Sequence, residues 1–356
     1  MIEKKAELVK RLLIRYINDN GLKTGEKLPN QNVLRSKLDC GAAPLTQAIS
    51  DLNTMGILKS CGKIGVFVTK KSTRGVPDRQ IGVITMDIDG VPTLALINNY
   101  IGDFLFRNGC KARWFQCDQA SKSKIYYDDS DIDGLTWCIT SKQLDGIITN
   151  VWLSANLEKL CEKYKIPILY LGNYVQNRNH VCFDYHYIIA ESVDRLYKAG
   201  YKHLAFCAYN RFCGLEETFL QVVGQYPAIQ GEIAVYHFPR RLKERTEWLM
   251  NLLKRWQDMP SASRPDALVV LDDILAQWIA MNLFVRGDWL PEVIVMRNQD
   301  IDLPVYPTKI GYWSLHLKEY ATFAGEKFLH LLRSQTLFMD FAAFRPDFIP
   351  TPKDKS

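Results

Sequence analysis

From Ile81 onward the chain alternates between short apolar runs and amphipathic stretches of helical period. The runs are "IGVITM", "CKARWFQC", "LDGIIT", "IPILYLG", "HVCFDY", "HLAFCAY", "IAVYHF", "DALVVL" and "EVIVM". Between them, residues 92–108, 154–164, 187–199, 214–224, 242–257 and 273–286 place apolar side chains three and four apart. A strand that is apolar on both sides needs cover on both faces. A helix between consecutive strands supplies that cover and returns the chain for parallel pairing. The pattern predicts an α/β chain with parallel sheets, whose ligands bind outside the carboxyl ends of the strands. At 356 residues the chain exceeds one typical core and implies two or three domains.

The first 74 residues differ in charge: they carry a net +8, and the remainder carries −2. A small basic head on a near-neutral body points to a polyanion as partner. Within the head, Leu8/Val9, Leu12/Leu13 and Tyr16/Ile17 recur at four-residue spacing and predict a helix that ends at Gly21. Asn30 is placed to cap a second helix that carries Val33, Leu34 and Leu38 inward. After a turn over residues 39–43, a third helix is expected from about Pro44 to Met55, with Leu45, Ala48, Ile49 and Leu52 buried. "ILKS" and "VFVT" flank "CGKIG" as two short strands of a glycine-containing hairpin. Three helices and a two-stranded wing make a winged helix-turn-helix, whose third helix enters the major groove of double-stranded DNA. The polar stretch "KKSTRGVPDRQ" reads as a linker. The expected organisation is a DNA-binding head over 1–70, a linker over 71–80 and a body over 81–356.

The blocks "GEKLPNQNVLRSKL", "AISDLNTMGIL" and "GKIGVFV" resemble, in order and spacing, the DNA-binding domain of the GntR family. That family follows the Leu-Pro pair with a Ser-Glu-Arg-like segment, which here is Asn30, Gln31 and Asn32. Its recognition helix opens on two arginines, which the alignment replaces with Ala42 and Thr46; Gly62-Lys63 of the wing is retained. Without those guanidinium groups, the readers left are Gly41, Ala42 and Ala43, the two alanines against a thymine methyl, and Thr46 and Gln47, the latter suited to adenine. Lys37, Lys59, Lys63, Lys70 and Lys71 are placed for phosphate contacts.

Residues from about 80 to 350 resemble the effector-binding domain of the LacI/GalR family, a two-lobed domain like a type I periplasmic binding protein. The resemblance is carried by "LDGIIT", "IPILYLGN", "VCFDYHYIIAESVDRLYKAGYKHLAF", "RFCGLEETF", "PDALVVLDDILAQWIAMNLFVRGDWLPEVIV" and "YPTKIGYWSLHLKEYATFAGEKFLHLL". It implies a homodimeric repressor whose operator affinity is set by a small-molecule effector, a sugar, held between the lobes. The effector positions it implies are Asp87, Asp89, Trp152, Asp184, Arg211, Asp272 and Gln299. Gln299 is a departure, since the family has an aspartate there. Two of these residue types have ordinary structural uses: Asp272 can cap the helix that follows it, and Trp152 can pack within its lobe.

Other functions find less support. The phosphate-loop, dinucleotide, zinc-protease and serine-hydrolase signatures are absent, and the six histidines have no metal-ligand spacing, so neither an enzyme, a cofactor nor a metal is expected. Asp272-Asp273 is a carboxylate pair, but neighbours at a strand end point apart. No apolar run approaches the roughly 18–20 residues that span a bilayer, and "MIEKKAELVK" lacks the apolar core of a signal peptide. Nine cysteines without a CxxC pair fit reduced thiols in the cytoplasm. The missing arginines leave one alternative open, a cytoplasmic sugar-binding module whose head no longer reads DNA.

Overall fold

The computed structural model describes residues 5–69, 78–86, 92–117, 126–127, 134–172, 178–209, 214–236, 242–286, 289–301, 308–334 and 342–351. The chain divides into two compact units, Met1–Tyr170 with Ala324–Met339 and Leu171–Phe323 with Asp340–Ser356.

The first unit opens with α1 (Lys5–Asp19), α2 (Gln31–Lys37) and α3 (Ala42–Thr54), followed by the antiparallel pair β1 (Leu58–Ser60) and β2 (Val66–Val68). Val9, Leu13, Ile14 and Ile17 of α1 bury against Leu45, Ala48, Ile49 and Leu52 of α3, with Leu34, Leu58 and Val68 closing the core. At about 25 cal/mol per Å² of apolar area, this cluster is the head's main source of stability. At Gly56, with φ +66°, α3 stops, and the Ile57 N–H turns back to the Leu52 carbonyl at 2.9 Å.

Two local expectations are corrected. The third helix starts at Ala42 and not Pro44, because Gly41 takes the N-cap and Pro44 still falls in the first turn, where no N–H partner is needed. Val33 is exposed, because the helical period that buries Leu34 carries its neighbour to solvent.

The rest of this unit holds β3 (Arg79–Met86), α4 (Pro92–Arg107), β4 (Cys110–Cys117), β5 (Tyr126–Tyr127), α5 (Leu135–Thr140), β6 (Gly146–Thr149), β7 (Trp152–Leu153), α6 (Ala155–Lys163) and β8 (Ile168–Leu171). Its strands run parallel in the order β4-β3-β6-β8, with Ile81 opposite both Ala112 and Gly146. β3 begins at Arg79, two residues before the first apolar residue of its run. Cys138, Ile139, Ile147, Leu157 and Cys161 are among the residues that pack into one core between the sheet and its helices.

The second unit contains β9 (His180–Phe183), α7 (Tyr185–Lys198), β10 (His203–Tyr209), α8 (Leu215–Val223), β11 (Gln230–Tyr236), α9 (Leu242–Asp258), β12 (Ala267–Val270), α10 (Asp273–Arg286), β13 (Glu292–Asn298) and β14 (Gly311–Leu315). α11 (Leu317–Ser334), β15 (Ala342–Phe344) and β16 (Asp347–Pro350) complete the described chain. The main sheet has the order β11-β10-β12-β13-β14-β16. Every pair is parallel except β14–β16, an antiparallel edge that the β–α alternation did not announce. Trp256, Leu253, Leu268, Val270 and Val293 lie at the centre of the core on one face of the sheet.

Candidate nucleic-acid interface and ligand-facing strand ends

The head leaves one polar face uncovered. Asn30 caps α2, its side chain accepting the Val33 N–H at 2.9 Å, so its role in the fold is local. Gln31 and Asn32 follow it, both exposed. Asn32, Arg35, Ser36, Asp39, Cys40 and Gly41 line an open hollow of about 650 Å³ at the turn between α2 and α3. Arg35 is exposed and had no place among the expected readers. Its signal was present in its spacing: it stands three residues after Asn32, on the same face of α2.

α3 presents small side chains first. Gly41, Ala42 and Ala43 are exposed at its N-terminus, where the first N–H groups have no partner within the helix. One turn on, the Thr46 hydroxyl donates to the Ala42 carbonyl at 3.0 Å. The Gln47 amide donates one hydrogen to Asp51 at 2.8 Å. Its second hydrogen and its carbonyl oxygen remain, the two groups that a bidentate contact to adenine uses. In the wing, Lys59 of β1 and Lys63 at the hairpin tip are exposed, and Ile64 beside Lys63 is 66% exposed. Arg11 and Arg15 contribute nothing to this face. Both ion-pair with Asp145, so the head's net charge overstates the cations available to a polyanion.

Four of the expected effector residues fall within the described structure. Trp152 is partly buried against the first unit's core. Asp184 caps α7, accepting the Tyr187 N–H at 3.2 Å, and pairs with Arg345 at 2.7 Å. Asp272 follows β12 and accepts the Leu275 N–H at 2.7 Å, which caps α10. Gln299 follows β13, and its buried side-chain nitrogen makes no hydrogen bond among the described residues. Asp87, Asp89 and Arg211 lie outside the described residues.

Two residues absent from the expected set share the character of Gln299. Asn298 ends β13 and Asn150 follows β6, each at the carboxyl end of a strand. The buried Asn298 amide nitrogen and both polar side-chain atoms of Asn150 have no partner among the described residues. A lone asparagine at the end of an apolar run carries little signal, so spacing could not distinguish these from turn residues. Asp273, beside Asp272, accepts the Asn298 N–H at 3.1 Å, and burial raises its carboxyl above the ordinary value. Among the described residues no cluster could hold a metal ion, and no helix is long and apolar enough to cross a membrane.

Residues 5–68 match the profile of the bacterial regulatory proteins of the gntR family. No curated protein matches the chain. Among solved structures, a LacI family transcriptional regulator from Arthrobacter sp. FB24, in complex with lactose, is similar at a TM-score of 0.58 and 14% identity; the match covers 76% of this chain and 97% of that one. A periplasmic binding protein/LacI transcriptional regulator from Alkaliphilus metalliredigens, complexed with D-xylulofuranose, is similar at 0.55 and 15%, over 76% and 97%. The transcription regulator CcpA of Lactococcus lactis is similar at 0.57 and 15%, again over 76% and 97%.

The class of protein follows from the head and the fold together, which are those of bacterial regulators of transcription. Its head is a GntR-type winged helix-turn-helix, and its body has the two-sheet α/β fold of LacI-type regulators.

Proposed function

We propose that the chain is a repressor that binds its operator as a homodimer and releases it in response to a sugar. In this reading residues 1–70 are the DNA-binding head, 71–80 a linker and 81–356 the effector-binding and dimerisation body, and the protein works in the cytoplasm. On the head, Gln31, Asn32, Arg35, Thr46 and Gln47 face the bases, Gly41, Ala42 and Ala43 allow close approach, and Lys59 and Lys63 hold phosphates.

The observation that carries the effector half is the set of amides at strand carboxyl ends. A buried amide without a partner costs about 1–3 kcal/mol, and among the described residues Asn150, Asn298 and Gln299 each have such a group. Neutral amides match hydroxyl groups, which donate to an amide oxygen and accept from its nitrogen. The sugars in the Arthrobacter and Alkaliphilus structures fit the same chemistry. Arg211, Asp87, Asp89, Trp152, Asp184 and Asp272 remain assigned to the effector by resemblance, with Asp184 and Asp272 serving at the helix ends they cap.

The test is a thermal-shift screen of pentoses, hexoses, sugar acids and sugar phosphates on the full chain. A ligand at 100 times its Kd stabilises its domain by about 2.7 kcal/mol. The expected hit disappears in Asn298→Ala and weakens binding to duplexes selected from a random library. A panel without a hit refutes the sugar, and a chain that selects no DNA leaves the alternative of a sugar-binding module with a silent head.

A further inference from the structure

α1 has two faces with different partners. Val9, Leu13 and Ile17 enter the head's core, whereas Arg11, Arg15 and Asn18, spaced four and three apart, form a polar stripe. Arg11 is only 3% exposed, an unusual place for a guanidinium unless it is paired.

Its partners come from the strand-bearing part of the first unit. Arg11 ion-pairs with Asp145 and donates to the Gln143 carbonyl at 3.2 Å. Arg15 stands 2.7 Å from the other oxygen of Asp145 and donates to the Asp78 carbonyl at 2.9 Å. Asn18 donates to the Asp78 carboxylate at 2.9 Å. At the rim, Arg79 approaches Asp19 at 3.7 Å and Lys142 pairs with Asp39 at 3.1 Å.

The Asp145 carboxylate also accepts the Gln80 N–H at 2.7 Å, tying the start of β3 to the residue before β6. A single carboxylate therefore holds two guanidinium groups from the head and one backbone N–H of the sheet. All these partners lie at the amino ends of β3 and β6, opposite the ends where Asn150 stands.

We infer that α1 is a latch that fixes the winged helix to the amino ends of the first unit's strands, so that head and sheet move as one body. Charged pairs of this kind define one geometry more than they add net stability, which suits a latch. β6 is four residues long, a span of about 13 Å, so a shift at its carboxyl end reaches the head through one short strand. On the proposed regulatory reading, an effector re-aims the heads instead of loosening a tether; the docking itself does not depend on that reading.

The test uses the full chain without DNA or effector, so its failure is distinct from failure of the sugar reading. Nitroxides are clicked onto p-azidophenylalanine at the exposed Lys23 and Lys163, with Lys111 and Lys163 as a control pair inside the sheet region. Double electron–electron resonance is expected to give one narrow head-to-sheet distribution, as narrow as the control. Arg11→Gln with Arg15→Gln leaves Asp145 and its bond from Gln80 in place, and should broaden the head-to-sheet distribution while the control stays narrow. A broad head-to-sheet distribution in the parent chain overturns the latch. So does a head-to-sheet distribution that the double variant leaves unchanged, or broadens only together with the control.

Discussion

The salt dependence of DNA binding offers a measure of which cations meet the duplex. Lys70 and Lys71 lie outside the described residues and Lys37 sits over the Tyr16 ring, so the contacts counted for each head are Arg35, Lys59 and Lys63, whereas Arg11 and Arg15 are held by Asp145. Each neutralised phosphate contributes about −0.9 to the slope of log K against log salt, so the two heads of the proposed dimer, with three contacts each, give a slope of about −5. Between 50 and 200 mM salt that is a loss of about 10³ in affinity. Lys63→Ala removes one contact per head and should bring the slope to about −4, with nearly the same loss on every sequence. Were Arg11 and Arg15 also on phosphates, the slope would steepen to about −9. Fluorescence anisotropy of a labelled duplex, titrated over a series of KCl concentrations, reads these values. A slope shallower than about −2, or a Lys63→Ala slope equal to that of the parent, would refute the assignment of the reading face.

Gln47→Ala should flatten the preference among sequences, removing about 1–3 kcal/mol of discrimination, while leaving the salt slope intact; competition binding against a point-mutated duplex set reads both. Phe106 is 69% exposed on α4, and one turn away the ring of Trp114 lies against Gly102. Phe106→Glu is accordingly expected to convert the proposed dimer into a monomer by light scattering at micromolar concentration, and an unchanged mass would move the interface elsewhere. Gly311 has φ +145°, and a Cβ there would lie 2.3 Å from the Ile349 carbonyl oxygen across the β14–β16 pair. Gly311→Ala should destabilise the fold by about 2–4 kcal/mol, visible as a fall in melting temperature. Burial pushes the thiols of Cys161 and Cys182 up to about 12, so in the native protein both should resist alkylation even at pH 9, where an ordinary thiol is ionised. Among the seven cysteines whose exposure is described, partly exposed Cys40 and Cys61 should label first in a mass-spectrometric time course.

Local chemistry made much of this molecule readable from the chain alone. The apolar period of α1 and α3, the Asn30 cap and the glycine-bearing wing specify the head, because each is decided within a few residues. The apolar runs from Ile81 likewise mark the strands through β13 except the two-residue β5 and β7, since a strand buried on both faces has to be apolar throughout. Edge elements left a weaker trace. β14, β15 and β16 are short or half-covered and lack a continuous apolar run, so only pairing revealed them, including the antiparallel register of Gly311 with Pro350. The candidate site residues divide in the same way. Lys63 and Gln47 could be located by their place in a motif, but the ties of Asp184 to Arg345 and of Asp145 to Arg11 join residues more than 130 positions apart. No local pattern encodes such partners. The charge of an arginine belongs to the sequence, but whether it faces a phosphate or a buried carboxylate is decided only when the fold brings that carboxylate to it.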